Sequence, residues 1–261
     1  MLNQRAFISR QPTSNPQVSL SAIGHTPFTE PSPTGSSLYS ITYQGIHVPT
    51  IITETLLTNL DPDSYTSGTT WPALVGNTFT VTGTLTKAST PGGSTAIVYD
   101  GSSAYAQDLT GIPASTVYSY TVDVWFYAAA GEAGTLIGEL ASDGWDTPLL
   151  EIGEPLNTIG MAFWSGGPPF RVIIGGYTAN TWTHVACTYN NSTRDFVGYI
   201  NGVDIADTRA TKSYPTTINL AVGYSLNQQF TGQMGVFKYY SSALTGEQVY
   251  ENYMALRPRY F

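Results

Sequence analysis

Cysteine is nearly absent from this chain, with one in 261 residues, Cys187. That excludes an intrachain disulfide and any multi-cysteine metal site. A lone cysteine inside an apolar stretch reads as a buried, inert thiol rather than a nucleophile. Charge is scarce as well, at 11% of residues, with ten Lys or Arg against eighteen Asp or Glu. A formal charge of −8 argues against non-specific nucleic-acid binding, which needs clustered basic side chains. It is equally unsuited to an anionic lipid surface. Histidine is limited to His25, His47 and His184, and no Gly-x-Ser-x-Gly elbow occurs, so a hydrolytic triad lacks its parts. No apolar run is long enough to span a bilayer, and the opening MLNQRAFISRQPTSNPQ has no apolar signal-peptide core. We therefore expect neither a membrane anchor nor an ordinary secretion signal.

What is abundant is Gly, Pro, Ser, Thr and Tyr, the composition of short strands joined by many turns. Residues 180–205, NTWTHVACTYNNSTRDFVGYINGVDI, show this best. Two runs rich in β-branched and aromatic residues, 182–189 and 196–200, suit a pleated surface. The second stops at Asn201-Gly202, the dipeptide a type I′ turn requires. Three consecutive antiparallel strands follow, which we place at the centre of an all-β domain. Residues 117–127 alternate, with Tyr118, Tyr120, Val122, Val124 and Phe126 on one face and Ser119, Thr121 and Asp123 on the other. That pattern predicts a strand with one face in the core. Further strands are expected at 79–85, 96–99, 135–140, 149–152, 159–164, 170–174, 218–222 and 233–240. One helix is predicted near the C-terminus. Thr245 and Gln248 form a capping box, Leu244 and Val249 a hydrophobic staple, and Pro258 ends it.

Residues 1–54 differ in character. Pro12, Pro16, Pro27, Pro31, Pro33 and Pro49 punctuate them, and apolar residues stand singly until the alternating run 38–43. Arg5 and Arg10 cancel Glu30 and Glu54, so the whole net charge belongs to residues 55–261. Such a segment cannot close a core of its own. We expect an extended arm that docks on partner proteins, with Arg5, Phe7, Arg10, Tyr39 and Tyr43 as its contact residues, followed by one sandwich domain over 55–261.

Several short motifs in order then resemble the concanavalin A-like lectin/glucanase superfamily, in its laminin-G-like or pentraxin-like branch. They are Gly68-Thr69-Thr70-Trp71 with Gly76-Asn77, Tyr99-Asp100-Gly101 with Tyr105, and Tyr120 to Phe126 including Trp125. Trp182-Thr183-His184-Val185-Ala186 with Tyr199-Ile200-Asn201-Gly202, and Phe230 with Gly232, Gly235 and Tyr239 through Leu244-Thr245, complete the set. The resemblance implies a jelly-roll sandwich of two antiparallel sheets with one short C-terminal helix. The ending Glu251-Asn252-Tyr253 through Arg257-Pro258-Arg259-Tyr260 is similar to versions found in structural proteins of tailed phages and large viruses.

Glucanases of that superfamily carry Glu-x-Asp-x-Glu on one strand. Here the nearest approach is Glu151-Ile152-Gly153-Glu154, whose spacing puts the two carboxylates on opposite faces of a strand. We expect no enzyme. Laminin-G-like domains often hold calcium at the rim, and hard cations want several oxygen ligands. Asp143 and Asp146 lie in a stretch from Glu132 to Glu154 that contains no Lys or Arg, which makes them the candidate calcium ligands. Trp145 and Trp164, in loops, are the candidates for stacking on a sugar ring, while Trp71, Trp125 and Trp182 read as packing. His184 reads as a hydrogen-bonded structural histidine. The expected function is a non-enzymatic virion structural protein, a capsid decoration or tail- or fibre-associated component. In this reading it is surface-exposed, homo-oligomeric and anchored to other virion proteins by its arm. The alternative is a glycan-binding adhesion or receptor-binding lectin module that uses calcium.

Overall fold

The computed structural model describes residues 7–11, 38–42, 48–102, 104–113, 119–139, 148–153, 156–163, 170–209, 217–225 and 228–261. The chain divides into two compact units, Met1–Val48 and Pro49–Phe261. In the first, β1 (Phe7–Gln11) pairs antiparallel with β2 (Leu38–Thr42), which sets Arg10 opposite Tyr39 and Phe7 opposite Thr42. The division falls at Val48 rather than at residue 54 because the next segment is already bound to the second unit. Asn252 Oδ1 accepts from the Ile52 N–H at 2.9 Å, and the Tyr240 hydroxyl donates to the Ile52 carbonyl at 3.1 Å.

The second unit is a sandwich. In chain order its strands begin β3 (Leu56–Leu60), β4 (Thr70–Trp71), β5 (Phe79–Thr82), β6 (Thr86–Ser89), β7 (Thr95–Asp100) and β8 (Tyr105–Gln107). They continue β9 (Ile112–Pro113), β10 (Tyr120–Tyr127), β11 (Gly134–Glu139), β12 (Pro148–Ile152), β13 (Thr158–Phe163) and β14 (Phe170–Gly176). Then come β15 (Thr183–Tyr189), β16 (Asp195–Ile200), β17 (Val203–Arg209), β18 (Thr217–Ile218) and β19 (Leu220–Val222). The last are β20 (Tyr224–Ser225), β21 (Gln228–Gln229) and β22 (Thr231–Tyr240), followed by helix α1 (Gly246–Leu256).

The first sheet runs β17-β16-β15-β10-β22-β7-β6, with β3 paired to the far half of β22. The second runs β14-β13-β12-β11-β19-β8-β5-β4. Every pairing in both is antiparallel, as the sequence led us to expect. Apolar side chains of the two inner faces, among them Phe79, Tyr120, Val122, Phe126, Leu136, Met161, Val185 and Phe237, fill the space between them. That burial is the main stabilising term of such a layered domain.

Two sequence expectations are corrected. The three strands of residues 180–205 form, with Asn201 and Gly202 both at positive φ in their turn. They lie at one end of the first sheet, however, and β17 is its edge. Hairpin patterning fixes which strands are sequential neighbours but not their place in the sheet. Strand β10 was expected to bury one face, yet Tyr120 through Phe126 are all buried. Its second face is covered by α1 and the segment around Ile51 and Ile52, which pack with Trp125, Ala186, Tyr240 and Leu256.

Helix α1 begins as its capping box requires. Thr245 Oγ1 accepts from the Gln248 N–H at 3.3 Å while Gln248 Oε1 accepts from the Thr245 N–H at 3.0 Å. Val249, Asn252 and Leu256 face inward. Beyond the helix, Arg259 makes a forked pair with Asp61 at 2.6 and 2.8 Å and reaches Asp63 at 2.8 Å. This fastens the C-terminus to the turn after β3. Burial alone would raise the Asp61 carboxyl, but Arg259 and the Asp63 N–H outweigh it and hold it below the usual carboxylate range. A folded pKa below the unfolded one means that the unfolded chain binds the extra proton. The stabilisation is therefore complete above about pH 4 and is lost as pH falls through the folded value. Thermal unfolding followed from pH 6 to pH 2.5 should show a fall in Tm, and Asp61→Asn should make that fall shallower.

Candidate binding face

The inner residues of the second sheet are apolar, so its other face presents the alternate positions. Strand register assigns them. One row runs along Thr80, Gln107, Ala221 and Gly138, and on the far strands Ala162 is opposite Arg171. A second row contains Thr135, Glu151, Gly160 and Ile173. Small residues in the middle leave long polar side chains towards the two ends of the rows.

At one end Arg171 reaches across Gly160 to Glu151, with Nε 3.0 Å from Oε1. The crossing is close: a Cβ on Gly160 would stand 3.1 Å from that nitrogen, so the guanidinium would have to give way. Glu151 is 9% exposed, so its charge is balanced by the guanidinium rather than by bulk water. At the other end Tyr105 stacks on Tyr224 with ring centroids 4.8 Å apart, both rings half-buried, and Gln107 follows on the same face. Between them the hairpin of β20 and β21 lies against β11, where Gln228 Oε1 is 3.5 Å from Thr135 Oγ1. Carboxylate, guanidinium, amide and aromatic groups on one surface are the groups that engage sugar hydroxyls and ring faces.

Trp145, Trp164, Asp143 and Asp146 lie outside the described residues, as do Arg5 and Tyr43. The strand ends that lead to the first four adjoin one another. Pro148 is opposite Phe163, and Phe163 is opposite Phe170, so the connections after β11 and after β13 leave from one end of the sheet. Among the described residues no group of His, Cys, Asp and Glu is arranged to hold a metal ion. None of their helices is long and apolar enough to cross a membrane.

The covered face of the first sheet holds a second polar constellation. Asp123, His184, Lys238 and Asn252 are each fully buried. Asp123 Oδ1 lies 3.0 Å from Lys238 Nζ and 3.3 Å from His184 Nε2, while Oδ2 accepts from Asn252 Nδ2 at 3.0 Å. Burial opposes the carboxylate charge, yet Lys238 and His184 more than offset it and keep Asp123 far below the usual range. His184 is thus structural, its Nε2 3.3 Å from Asp123 Oδ1 and its ring 5.3 Å from that of Trp125. Cys187 points into the sandwich core, where burial pushes its thiol well up, away from reactivity. Sequence reading missed Asp123, Lys238 and Asn252 as a unit. The signal available was Lys238, one cation in the otherwise apolar run of β22 after Met234.

A family model for the concanavalin A-like lectin/glucanases superfamily matches residues 100–250. The chain belongs to that superfamily. No curated protein sequence matches the chain. Solved structures share its fold at low identity. One is domain 4 of AbnA, a GH43 extracellular arabinanase from Geobacillus stearothermophilus, in complex with arabinotriose. The match has TM-score 0.56 at 20% identity and covers 76% of this chain and 98% of that one. The binding domain of paraclostridial mosquitocidal protein 1 aligns with TM-score 0.57 and 13% identity, covering 76% of this chain and 52% of that one. The binding domain of botulinum neurotoxin DC in complex with SialylT aligns with TM-score 0.59 and 12% identity, covering 77% and 52%. The chain thus spans about half the length of the toxin binding domains it matches. The sandwich is lectin-like, and the folds it resembles include binding domains of toxins.

Proposed function

We propose that this protein is a non-enzymatic recognition module of a virion, in which the concanavalin A-like sandwich binds a glycan and residues 1–48 anchor it to other virion proteins. The observation that carries the glycan part is the second sheet's outer face, where Glu151 with Arg171 and stacked Tyr105 and Tyr224 stand on the fold of a lectin superfamily. Two fold relatives, solved in complex with arabinotriose and with SialylT, support the same class of ligand. Trp145 and Trp164 stay the candidates for stacking on a sugar ring, and Asp143 and Asp146 the candidate oxygen ligands for calcium, on the sequence pattern alone. Glu151 is engaged by Arg171 and serves binding rather than hydrolysis. The virion part rests on the Pro-rich character of the arm and the phage-like C-terminal ending. Head decoration and tail or fibre association are both consistent with it, and so is assembly as a homo-oligomer.

The full chain on a broad glycan array, with calcium and with a chelator, tests the first part. Binding should weaken at least tenfold in Trp164→Ala and in Gly160→Val, the latter because it separates Arg171 from Glu151. An array with no binding under either condition would overturn the glycan reading. Deleting residues 1–48 should abolish incorporation into particles while leaving glycan binding intact. Undiminished incorporation would overturn the anchoring role.

A further inference from the structure

We propose that Lys238 and Asn252 become joined by an isopeptide bond that the folded protein forms by itself, with Asp123 carrying the protons. Asp123 holds both the Lys238 amine and the Asn252 amide, and glycan recognition does not use this cluster. Lys238 is a primary amine with no solvent exposure, held by Asp123 Oδ1 at 3.0 Å. Asn252 projects from α1 onto the same carboxylate, its Nδ2 3.0 Å from Asp123 Oδ2. One carboxylate therefore bridges the nucleophile and the nitrogen that would leave. The Asn252 carbonyl oxygen accepts the Ile52 N–H at 2.9 Å, a donor placed where negative charge would develop as the carbonyl carbon is attacked. The Tyr240 hydroxyl, 2.9 Å from Nδ2, fixes the amide plane. Trp125, Tyr253 and His184 wall the site with rings, and enclosure of this kind keeps water from competing.

The reaction balances without oxidant, metal or cofactor. A proton passes transiently from Lys238 Nζ to Asp123, an uphill step because the paired charges stabilise each other, and the neutral pair that results is the reactive one. The free amine lone pair attacks Asn252 Cγ, an Nζ–Cγ bond forms, and the carbonyl π electrons move onto Oδ1 beside the Ile52 N–H. Asp123 then gives its proton to Nδ2 and takes one from Nζ. Collapse of the intermediate breaks the Cγ–Nδ2 bond and releases ammonia. Proximity supplies most of the acceleration, since all three groups are held by packed strands and one helix. The product ties α1 to β22 covalently, and with them the segment at Ile52 that follows the N-terminal unit. A covalent tie at this point suits a domain held at one end and pulled at another.

Intact-mass measurement of the full-length, denatured protein tests this. The expected mass is lower than that of the sequence by one ammonia, and fragmentation should give a branched peptide joining residues 238 and 252. Lys238→Arg keeps a cation for Asp123 but removes the nucleophile, so it should fold and show the unreduced mass. Asp123→Asn should also show the unreduced mass if it folds. An unreduced mass in the parent protein overturns the proposal. So does a missing ammonia traced to a cyclised Asn201-Gly202, or a missing water that joins Lys238 to Asp123 instead.

Discussion

Lys238→Ala is expected to destabilise the sandwich by about 3–5 kcal/mol, the range for removing one partner of a buried ion pair. Asp123 would keep His184 Nε2 at 3.3 Å and the Asn252 amide, but would lose its ammonium partner on a face with no solvent exposure. For a domain of this size the loss corresponds to a fall in Tm of about 10 °C. The deficit should depend on pH with a definite sign. With the Lys238 ammonium beside it, before any bond to Asn252 forms, Asp123 stays far below the usual carboxylate range. Without it, burial dominates and raises that pKa, so the variant should fold with a neutral Asp123. Its stability relative to the parent should then recover as pH falls towards 4. Replacing both groups, as Asp123→Leu with Lys238→Met, should restore the part of the loss that comes from the unpaired charge, while the part that comes from the missing tie to Asn252 stays lost. Urea unfolding of the three proteins at pH 7.5 and pH 4.5 gives the comparison. Equal loss in the single and double variants would show that the missing tie to Asn252, not the unpaired charge, carries the deficit.

This cluster marks the limit of what could be read from the sequence. Local signals served well where the cause was local. The Asn201-Gly202 turn, the Thr245 and Gln248 capping box and the burial of Cys187 each follow from a few adjacent residues. The family motifs supplied the two-sheet architecture that periodicity alone could only suggest. What was hidden depended on contacts across the chain. Asp123 sits at a position that alternation assigns to solvent, and it is buried because α1, more than a hundred residues later, covers it. The Glu151–Arg171 pair was equally hidden, since it depends on β13 passing between β12 and β14 with a glycine at the crossing. Tyr105 and Tyr224 are likewise distant in sequence and meet only through the pairing of β8 with β19.

Trp125→Ala should produce a loss of similar size, about 3–5 kcal/mol, by a different route. Trp125 is fully buried on the covered face of the first sheet, where its ring stacks 4.3 Å from Tyr260 and 5.5 Å from Tyr253. Tyr260 in turn has no room to move inward. A Cβ on Gly235 would stand 2.1 Å from its hydroxyl oxygen, and that oxygen accepts the Val236 N–H at 2.7 Å. Removing the indole therefore opens a cavity under both the helix and the C-terminal residues, and neither can collapse into it without breaking the Val236 bond. Trp125→Phe keeps a ring in the stack and should lose only about 1–2 kcal/mol, the scale of one aromatic contact with a small void. The distinguishing readout is hydrogen exchange at the Val236 amide. It should accelerate in Trp125→Ala by the same free energy as global unfolding if Tyr260 is seated as part of the cooperative core. Exchange that accelerates while the urea midpoint stays put would mean that the C-terminus detaches alone, and that the indole anchors the tail rather than the sandwich.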